Sequence, residues 1–374
     1  LSRKIVFLTG TRADFGKIKS LVQILEDHEN FNPFVFVTGM HLMETYGYTL
    51  IEIERCQFSN VHAFENYTSE ATMDLTLAKT IQGFSSYIKE IKPDLVVVHG
   101  DRVEAMAGAI VGALNNILVA HIEGGELSGT VDELIRHSVS KMSHIHYVSN
   151  TEAKNRLIQM GELHNTIEVI GSPDIDIMFS KNLPSIDEVK SYYNIPFKNY
   201  ALAMFHPVTT EFDKMEDHAN SFVNALLKDD KNYVIIFPNN DLGSEVILNA
   251  YKKLEANSRF RIFPSVRFEY FLTLLKHSSF IIGNSSAGIR EAPYYGIPTI
   301  NVGTRQENRA LHSHITNVSY SEEAISNALL SEFKTVKKDT VSFGNGNSAG
   351  LFLNSLLGTT IWSLNNQKQF VDIH

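Results

Sequence analysis

Val96-Val97-Val98-His99-Gly100-Asp101-Arg102 and, after an Ala/Gly-rich interval, Ile117-Leu118-Val119-Ala120-His121-Ile122-Glu123-Gly124-Gly125-Glu126-Leu127-Ser128-Gly129 form the stretch that decides the architecture. Each segment opens as a short apolar run and breaks into histidine, glycine and carboxylate, and Thr130, Asp132 and Arg136 follow. Two apolar runs separated by a helix-length segment predict neighbouring parallel strands in a βαβ unit. Open α/β sheets bind ligands at the carboxyl ends of their strands, so Asp101, Glu123 and Asp132 are expected to share one cleft there.

The same rhythm extends in both directions. Lys4-Ile5-Val6-Phe7-Leu8-Thr9-Gly10 predicts a buried strand, and Thr11-Arg12-Ala13-Asp14-Phe15-Gly16-Lys17 opens a helix whose Ile18, Leu21, Val22, Ile24 and Leu25 recur at helical spacing. That turn matches neither the dinucleotide fingerprint nor the Walker A loop, so by itself it reads as a tight structural turn. Residues 34–39 form a second strand running into Met40 and His41, a helix from about Ala71 to Ile91 leads to the strand at Leu95, and residues 145–148 and 167–170 complete the half. Residues 173–197, with Pro173, Pro184 and Pro196, read as a connector. Strands then end at His206, at Pro238-Asn239, at Pro264-Ser265-Val266-Arg267, at Gly283-Asn284-Ser285-Ser286 and at Gly303-Thr304-Arg305. The expected organisation is an α/β chain with a Rossmann-like domain over residues 1–172, a connector over 173–197, a second Rossmann-like domain over 198–355, and a C-terminal helix and tail over 356–374 that crosses back to the first.

Bulk properties narrow the classes. A chain of 374 residues is too long for one ordinary core. Its 43% hydrophobic and 20% charged residues are those of a globular protein, and a net charge of -9 argues against a general nucleic-acid or membrane-surface binder. No run is long and apolar enough to span a bilayer, no signal-peptide layout opens the chain, and Cys56 is the single cysteine, so a cytoplasmic protein is expected.

The chemistry-bearing groups cluster at the strand ends. In Gly283-Asn284-Ser285-Ser286-Ala287-Gly288-Ile289-Arg290-Glu291, the serines fall at the N-cap and first turn of a predicted helix that carries Glu291 near its middle. Free N–H groups and hydroxyls at such a terminus suit a diphosphate, and Glu291 suits ribose hydroxyls; an ordinary serine cap with a solvated glutamate is the structural alternative. Arg267 and Arg305 also follow strands, where guanidinium groups meet phosphate oxygens. Asp101 and Asp132 have helix capping as a rival role, whereas Glu123 precedes Gly124-Gly125, where the chain can approach a ligand closely. His206 is an ordered sheet-edge candidate, His99 and His121 either orient carboxylates or serve as core groups, and His137, His144 and His146 read as packing or network residues. No metal-ligand spacing is present, so no metal is expected.

Taken together, Gly10-Thr11-Arg12-Ala13-Asp14, Thr38-Gly39-Met40-His41, His99-Gly100-Asp101-Arg102, residues 121–129, Phe205-His206-Pro207-Val208-Thr209-Thr210, residues 283–291 and Gly303-Thr304-Arg305-Gln306 resemble the hydrolysing UDP-N-acetylglucosamine 2-epimerases of bacterial sialic acid synthesis, collinearly over nearly the whole chain. The resemblance implies the GT-B fold, two facing Rossmann-like domains with UDP held mainly by the second. It implies release of UDP and N-acetylmannosamine through a 2-acetamidoglucal, without a cofactor, by a homodimer or homotetramer. It carries over Asp101, Glu123 and Asp132 as catalytic carboxylates and His206 as an active-site residue. Arg12, Arg102, Ser285, Ser286, Glu291 and Arg305 are similar to nucleotide-sugar contacts, Val266 to a backbone contact of uracil, and His41 and Asn239 stand at edge positions that join them. Non-hydrolysing relatives carry Glu where Asp14 stands and a His-Val-Glu-Ala-Gly motif at residues 121–125, departures that favour the hydrolysing branch. Three rivals remain: the same chemistry on UDP-2,4-diacetamido-2,4,6-trideoxyglucose, a GT-B glycosyltransferase, and a nucleotide-sugar-binding protein without catalysis.

Overall fold

Two parallel sheets organise the chain. The computed structural model describes residues 2–68, 72–128, 130–307, 309, 314–331, 333 and 343–372; Ala71 and Gly129 lie outside the described residues. The chain divides into one unit made of Leu1–Glu126, Asp132–Ser180 and Val341–His374 and another made of Leu127–Val131 and Lys181–Thr340.

The first unit holds β1 (Arg3–Thr9), β2 (Phe31–Val37), β3 (Val61–Ala63), β4 (Leu95–His99), β5 (Leu118–Ile122), β6 (Ile145–Val148) and β7 (Ile167–Val169), in the order β3-β2-β1-β4-β5-β6-β7. These strands pair with their neighbours in parallel throughout. Val96, Val98 and Val119 are fully buried, as β-branched residues in a sheet covered on both faces should be. Pro33, which has no N–H to donate, lies in β2 outside the register with β3, which begins at Val35. β3 is a partly exposed edge strand that its short polar sequence does not announce.

The crossing back of the C-terminus is present. Helix Ser348–Leu357 sends Phe352 and Leu356 into the core of the first unit, where Phe352 stacks edgewise on Tyr147. The return precedes residue 356, the start of the expected tail, because these apolar positions belong to the first core. The proline-rich connector is likewise divided: helix Pro173–Met178 belongs to the first unit and helix Ile186–Tyr192 to the second.

The second unit holds β8 (Ala201–Met204), β9 (Tyr233–Ile236), β10 (Phe260–Phe263), β11 (Ile281–Gly283), β12 (Thr299–Val302) and β13 (Ile315–Val318), in the order β10-β9-β8-β11-β12-β13, again parallel. Its core is built on Phe205, Phe222, Tyr233, Tyr251 and Phe280. No described helix is long and apolar enough to cross a membrane.

Candidate active site

Sheet order positions the candidate residues. In the first unit the chain runs outward from β1 to β3 and then returns to β4 on the other side of β1, so the switch point lies between β1 and β4. The loops diverging there carry Arg12 and Asp101-Arg102. The β1 loop is a capping box: Thr11 accepts from the Asp14 N–H, and the Asp14 carboxylate accepts from the N–H groups of Gly10 at 3.0 Å and Thr11 at 3.0 Å and from the Thr9 hydroxyl. Burial pushes the Asp14 carboxyl up despite these bonds.

His41 supports this turn from behind. Its Nε2 lies 3.0 Å from Thr9 Oγ1 and its Nδ1 2.7 Å from Thr49 Oγ1, and the residue has no exposed surface. Burial, with Arg12 nearby, lowers its pKa to about 3, so it is neutral at pH 7. Arg12 and Arg102 each have a carboxylate at hand: Arg12 Nη2 is 4.0 Å from Glu52 and Arg102 Nε is 3.6 Å from Glu104.

Glu123 is the hub of the first edge. It has φ of 63°, a left-handed conformation that costs a non-glycine residue free energy and is held here by its surroundings. Its carboxylate lies 3.4 Å from Lys17 Nζ and 3.2 Å from His99 Nε2, and accepts from the Ser172 hydroxyl. Only 3% of the residue is exposed. Arg136 donates to the Glu123 carbonyl at 2.8 Å and to the Asp101 carboxylate, joining the two strand ends. Asp132 stands in the first turn of helix Val131–Met142, four residues before Arg136 and therefore on the same face. The structure thus links Asp101 and Glu123 through one guanidinium and sets Asp132 on the helix face that supplies it.

His121 ties this edge together. The Gly100 carbonyl, which can only accept, is 2.7 Å from His121 Nε2, and Ser140 Oγ is 3.0 Å from Nδ1; the proton therefore sits on Nε2. Burial holds its pKa well below the ordinary histidine value. Gly124 packs tightly beside it: a Cβ there would lie 2.8 Å from both His121 Nδ1 and Ser140 Oγ, so a neighbour would have to shift.

The edge of the second unit is built from amides, hydroxyls and backbone. Its switch point lies between β8 and β11, and Asn284 clamps it: Oδ1 accepts from the His206 N–H at 2.6 Å and Nδ2 donates to the His206 carbonyl at 2.8 Å. The Asn239 N–H donates to His206 Nδ1 at 3.0 Å, which leaves the neutral ring's proton on Nε2. Arg305 Nη1 and Gln306 Nε2 donate to the Asn284 carbonyl at 3.2 and 3.0 Å, and Ser285 caps the following turn by accepting from the Ala287 N–H.

One expectation on this edge needs correction. Glu291 is not near the middle of a helix begun at Ser285. Ser286–Gly288 is a 3-10 turn, and a separate helix starts at Glu291 and spans only Glu291–Tyr295, with Pro293 lacking the N–H a longer helix uses. Glu291 is nonetheless buried. The Arg267 guanidinium lies over Tyr192 at 4.7 Å and Tyr270 at 5.3 Å from the ring centroids, which hold it in place at this strand end. Val266, beside it, is buried.

Lys17, Ser172, Asp174 and Asn284 are functional-site neighbours that sequence reasoning did not single out. Lys17 carried a signal, a lysine in the first turns of a helix beginning at a sheet edge; the others carried none. Among the described residues, no group of three His, Cys, Asp or Glu side chains is gathered to hold a metal ion.

Over residues 23–357 the chain matches the protein family described as UDP-N-acetylglucosamine 2-epimerase. It is 47% identical over 376 aligned residues, covering 100% of both chains, to the UDP-N-acetylglucosamine 2-epimerase of Neisseria meningitidis. It is 34% identical, covering 93% of each chain, to the UDP-N,N'-diacetylbacillosamine 2-epimerase (hydrolyzing) of Legionella pneumophila. Its fold is similar, with a TM-score of 0.82 and 23% identity over 95% of this chain and 99% of the other, to the Methanocaldococcus jannaschii UDP-GlcNAc 2-epimerase solved in complex with UDP-GlcNAc and UDP.

Proposed function

The chain belongs to the UDP-N-acetylglucosamine 2-epimerase family, and from that premise we propose that it is a hydrolysing 2-epimerase converting UDP-N-acetylglucosamine and water to N-acetylmannosamine and UDP. The C2–H bond breaks toward a carboxylate base, its electron pair forms the C1–C2 double bond, and the C1–O bond breaks with its pair leaving on UDP. Water then supplies a hydroxyl to C1 while a proton is returned to C2 on the opposite face. Such a sequence needs a base, an acid and support for the departing diphosphate.

The observation that carries this reading is the Glu123 hub: a buried carboxylate in a strained backbone conformation, held by Lys17, His99 and Ser172 and joined through Arg136 to Asp101. With Asp132 these are the proposed acid–base groups, and Arg12 and Arg102 are the cations beside them. On the second unit His206, Ser285, Ser286, Glu291, Arg305, Asn239, Arg267 and the backbone of Val266 are the proposed UDP contacts. The hydrolysing branch is supported by Asp14, whose carboxylate fills its capping box, and by Gly124, where the alanine of the non-hydrolysing motif would crowd His121 and Ser140. We place the reaction in the cytoplasm, at the entry to sialic acid synthesis, in a homodimer or homotetramer.

Incubation with UDP-N-acetylglucosamine in deuterated water tests this: N-acetylmannosamine deuterated at C2, plus UDP, is expected. UDP-N-acetylmannosamine as the product would assign the chain to the non-hydrolysing branch, and product without deuterium would exclude elimination. The Legionella relative favours a second substrate, a UDP-2,4-diacetamido-2,4,6-trideoxyhexose, and the two sugars run in parallel decide between them by kcat/KM.

A further inference from the structure

Residues 366–371 lie against the far end of helix Val131–Met142, whose first turns carry Asp132 and Arg136. The Lys368 ammonium donates to the carbonyls of Ser140 at 2.9 Å, Lys141 at 3.1 Å and Ser143, and pairs with the Glu162 carboxylate. The last carbonyls of a helix have no partner within it, and a cation set on them satisfies these acceptors and opposes the negative end of the helix dipole. All four contacts are acceptors, which suits an ammonium. Glu162 is buried and is also held by Lys141 at 2.8 Å and by His146 Nε2 at 3.0 Å. Burial would raise its carboxyl, but these partners and Lys368 outweigh burial and bring its pKa to about 2. Burial lowers the Lys368 pKa, an effect that Glu162 partly offsets. Further contacts fasten the segment on both sides of the lysine. His144, whose Nδ1 accepts from the Val119 N–H, donates from Nε2 to the Asn366 carbonyl at 3.0 Å, and the Asn366 amide donates to the Asn116 carbonyl at 2.7 Å. The Val371 N–H donates to the Gly161 carbonyl at 3.2 Å, and the Phe370 ring covers Gly161 so closely that a Cβ there would lie 2.5 Å from it.

Two routes join this end of the helix to the proposed acid–base centre. The helix itself carries Arg136, which donates to the Glu123 carbonyl at 2.8 Å and to the Asp101 carboxylate. At Ser140 the carbonyl takes the Lys368 bond, while the hydroxyl lies 3.0 Å from His121 Nδ1, and Nε2 of that ring donates to the Gly100 carbonyl next to Asp101. Asp132, Arg136, Ser140, Glu162 and Lys368 all belong to the first unit. Resting on the proposed 2-epimerase reaction, we infer that Lys368 is a positioning residue for it: by fixing the C-terminal end of helix Val131–Met142, it sets where Asp132 and Arg136 stand against Asp101 and Glu123. Lys368 touches no reacting atom. Asp132 and Ser140 are separated by about 12 Å of hydrogen-bonded helix, which passes a shift at one end to the other. A misplacement of about 1 Å at a reacting group costs up to about a hundredfold in rate, so the setting of this helix bears on turnover rather than on the grip on UDP.

The test compares Lys368→Met, which keeps the stem and removes the charge, with Lys368→Arg, which keeps charge and donors. Both are made in the full chain and assayed, well below the temperature at which either unfolds, on whichever of the two nucleotide sugars the wild type turns over. Lys368→Met should lower kcat about tenfold with KM within about twofold, and UDP affinity by calorimetry should be unchanged; Lys368→Arg should keep kcat within about threefold of the wild type. A lysine that served only the fold would lower the unfolding temperature and leave kcat of the folded protein as it was, and that result overturns the inference. So does a loss of UDP affinity in step with kcat, or an arginine variant no better than the methionine one. Should Lys368→Met fail to fold, Phe370→Ala, which loosens the same segment without removing a partner of the buried Glu162 carboxylate, takes its place: kcat about threefold lower is expected, and an unchanged kcat overturns the inference. A wild-type protein that turns over neither nucleotide sugar overturns the proposed function and this inference with it, whereas an active wild type with unaffected variants overturns this inference alone.

Discussion

The two sheet edges solve different electrostatic problems. The edge of the first unit gathers carboxylates, the buried Glu123 and Asp174 and the partly exposed Asp101, and sets Lys17 and Arg136 against them. The edge of the second is framed by an amide and a hydroxyl, with Arg305 as the added cation: Asn284 holds both backbone groups of His206, Ser285 caps the next turn, and Arg305 donates to the Asn284 carbonyl. Acids withdrawn from water hold protons more readily than exposed ones; amides and backbone N–H groups present a field to an anion without titrating. The contrast explains why one fold element, a parallel sheet with a switch point, is the proposed acid–base centre in one unit and the proposed diphosphate cradle in the other.

The largest effect separating the edges should come from Glu123→Gln, which keeps the shape and removes the charge. Loss of kcat on the order of 10³-fold is expected, with UDP affinity intact, as read by a coupled UDP-release assay and by calorimetry. Were UDP binding to fall in step with kcat, the division of labour would be wrong. Next, Asn284→Ala strips the partners of two backbone groups of His206 and should weaken UDP binding about tenfold to a hundredfold while kcat at saturation falls far less.

Acidification should sharpen the comparison further. His41 is held neutral with a pKa of about 3 against an ordinary 6.5, so the stability its neutral form contributes is complete above pH 6.5 and drains as pH falls toward 3. At pH 5 that amounts to about 2 kcal/mol. Burial also lowers His121 and His146, and all three lie in the first unit. Hydrogen exchange between pH 7 and 5 should show the first unit loosening before the second, and His41→Asn should flatten the dependence. The smallest effect is Gly124→Ala, whose new methyl crowds His121 and Ser140; about 1 kcal/mol of lost stability is expected in thermal unfolding, because the serine can turn aside.

Much of this was written in local sequence. The β-branched runs at Val96 and Val119 announced buried parallel strands, and the break from apolar to polar marked Asp101, Glu123 and His206 as edge residues. Other features were not readable. Arg267 reads as a cation after a strand, and nothing in its neighbourhood announces that Tyr192, from a distant helix, and Tyr270 lie beneath its guanidinium. Glu291 reads as mid-helix from the serine cap ahead of it, and that cap does not foresee a 3-10 turn followed by a separate short helix. Phe352 has the pattern of any amphipathic helix, and its pattern does not say which of two cores it enters.

Sequence by itself determined the parallel α/β architecture and which side chains stand at strand ends, because strand burial and the polar break that ends it are local properties of the chain. Tertiary structure decided what those side chains meet. Lys17, His99 and the helix start that carries Ser172 and Asp174 stand on separate elements, and only the order of the strands and the packing of the helices on them bring these groups together near Glu123. Electrostatic energy depends on distance in space and on exclusion of water, and neither is a property of neighbours along a chain.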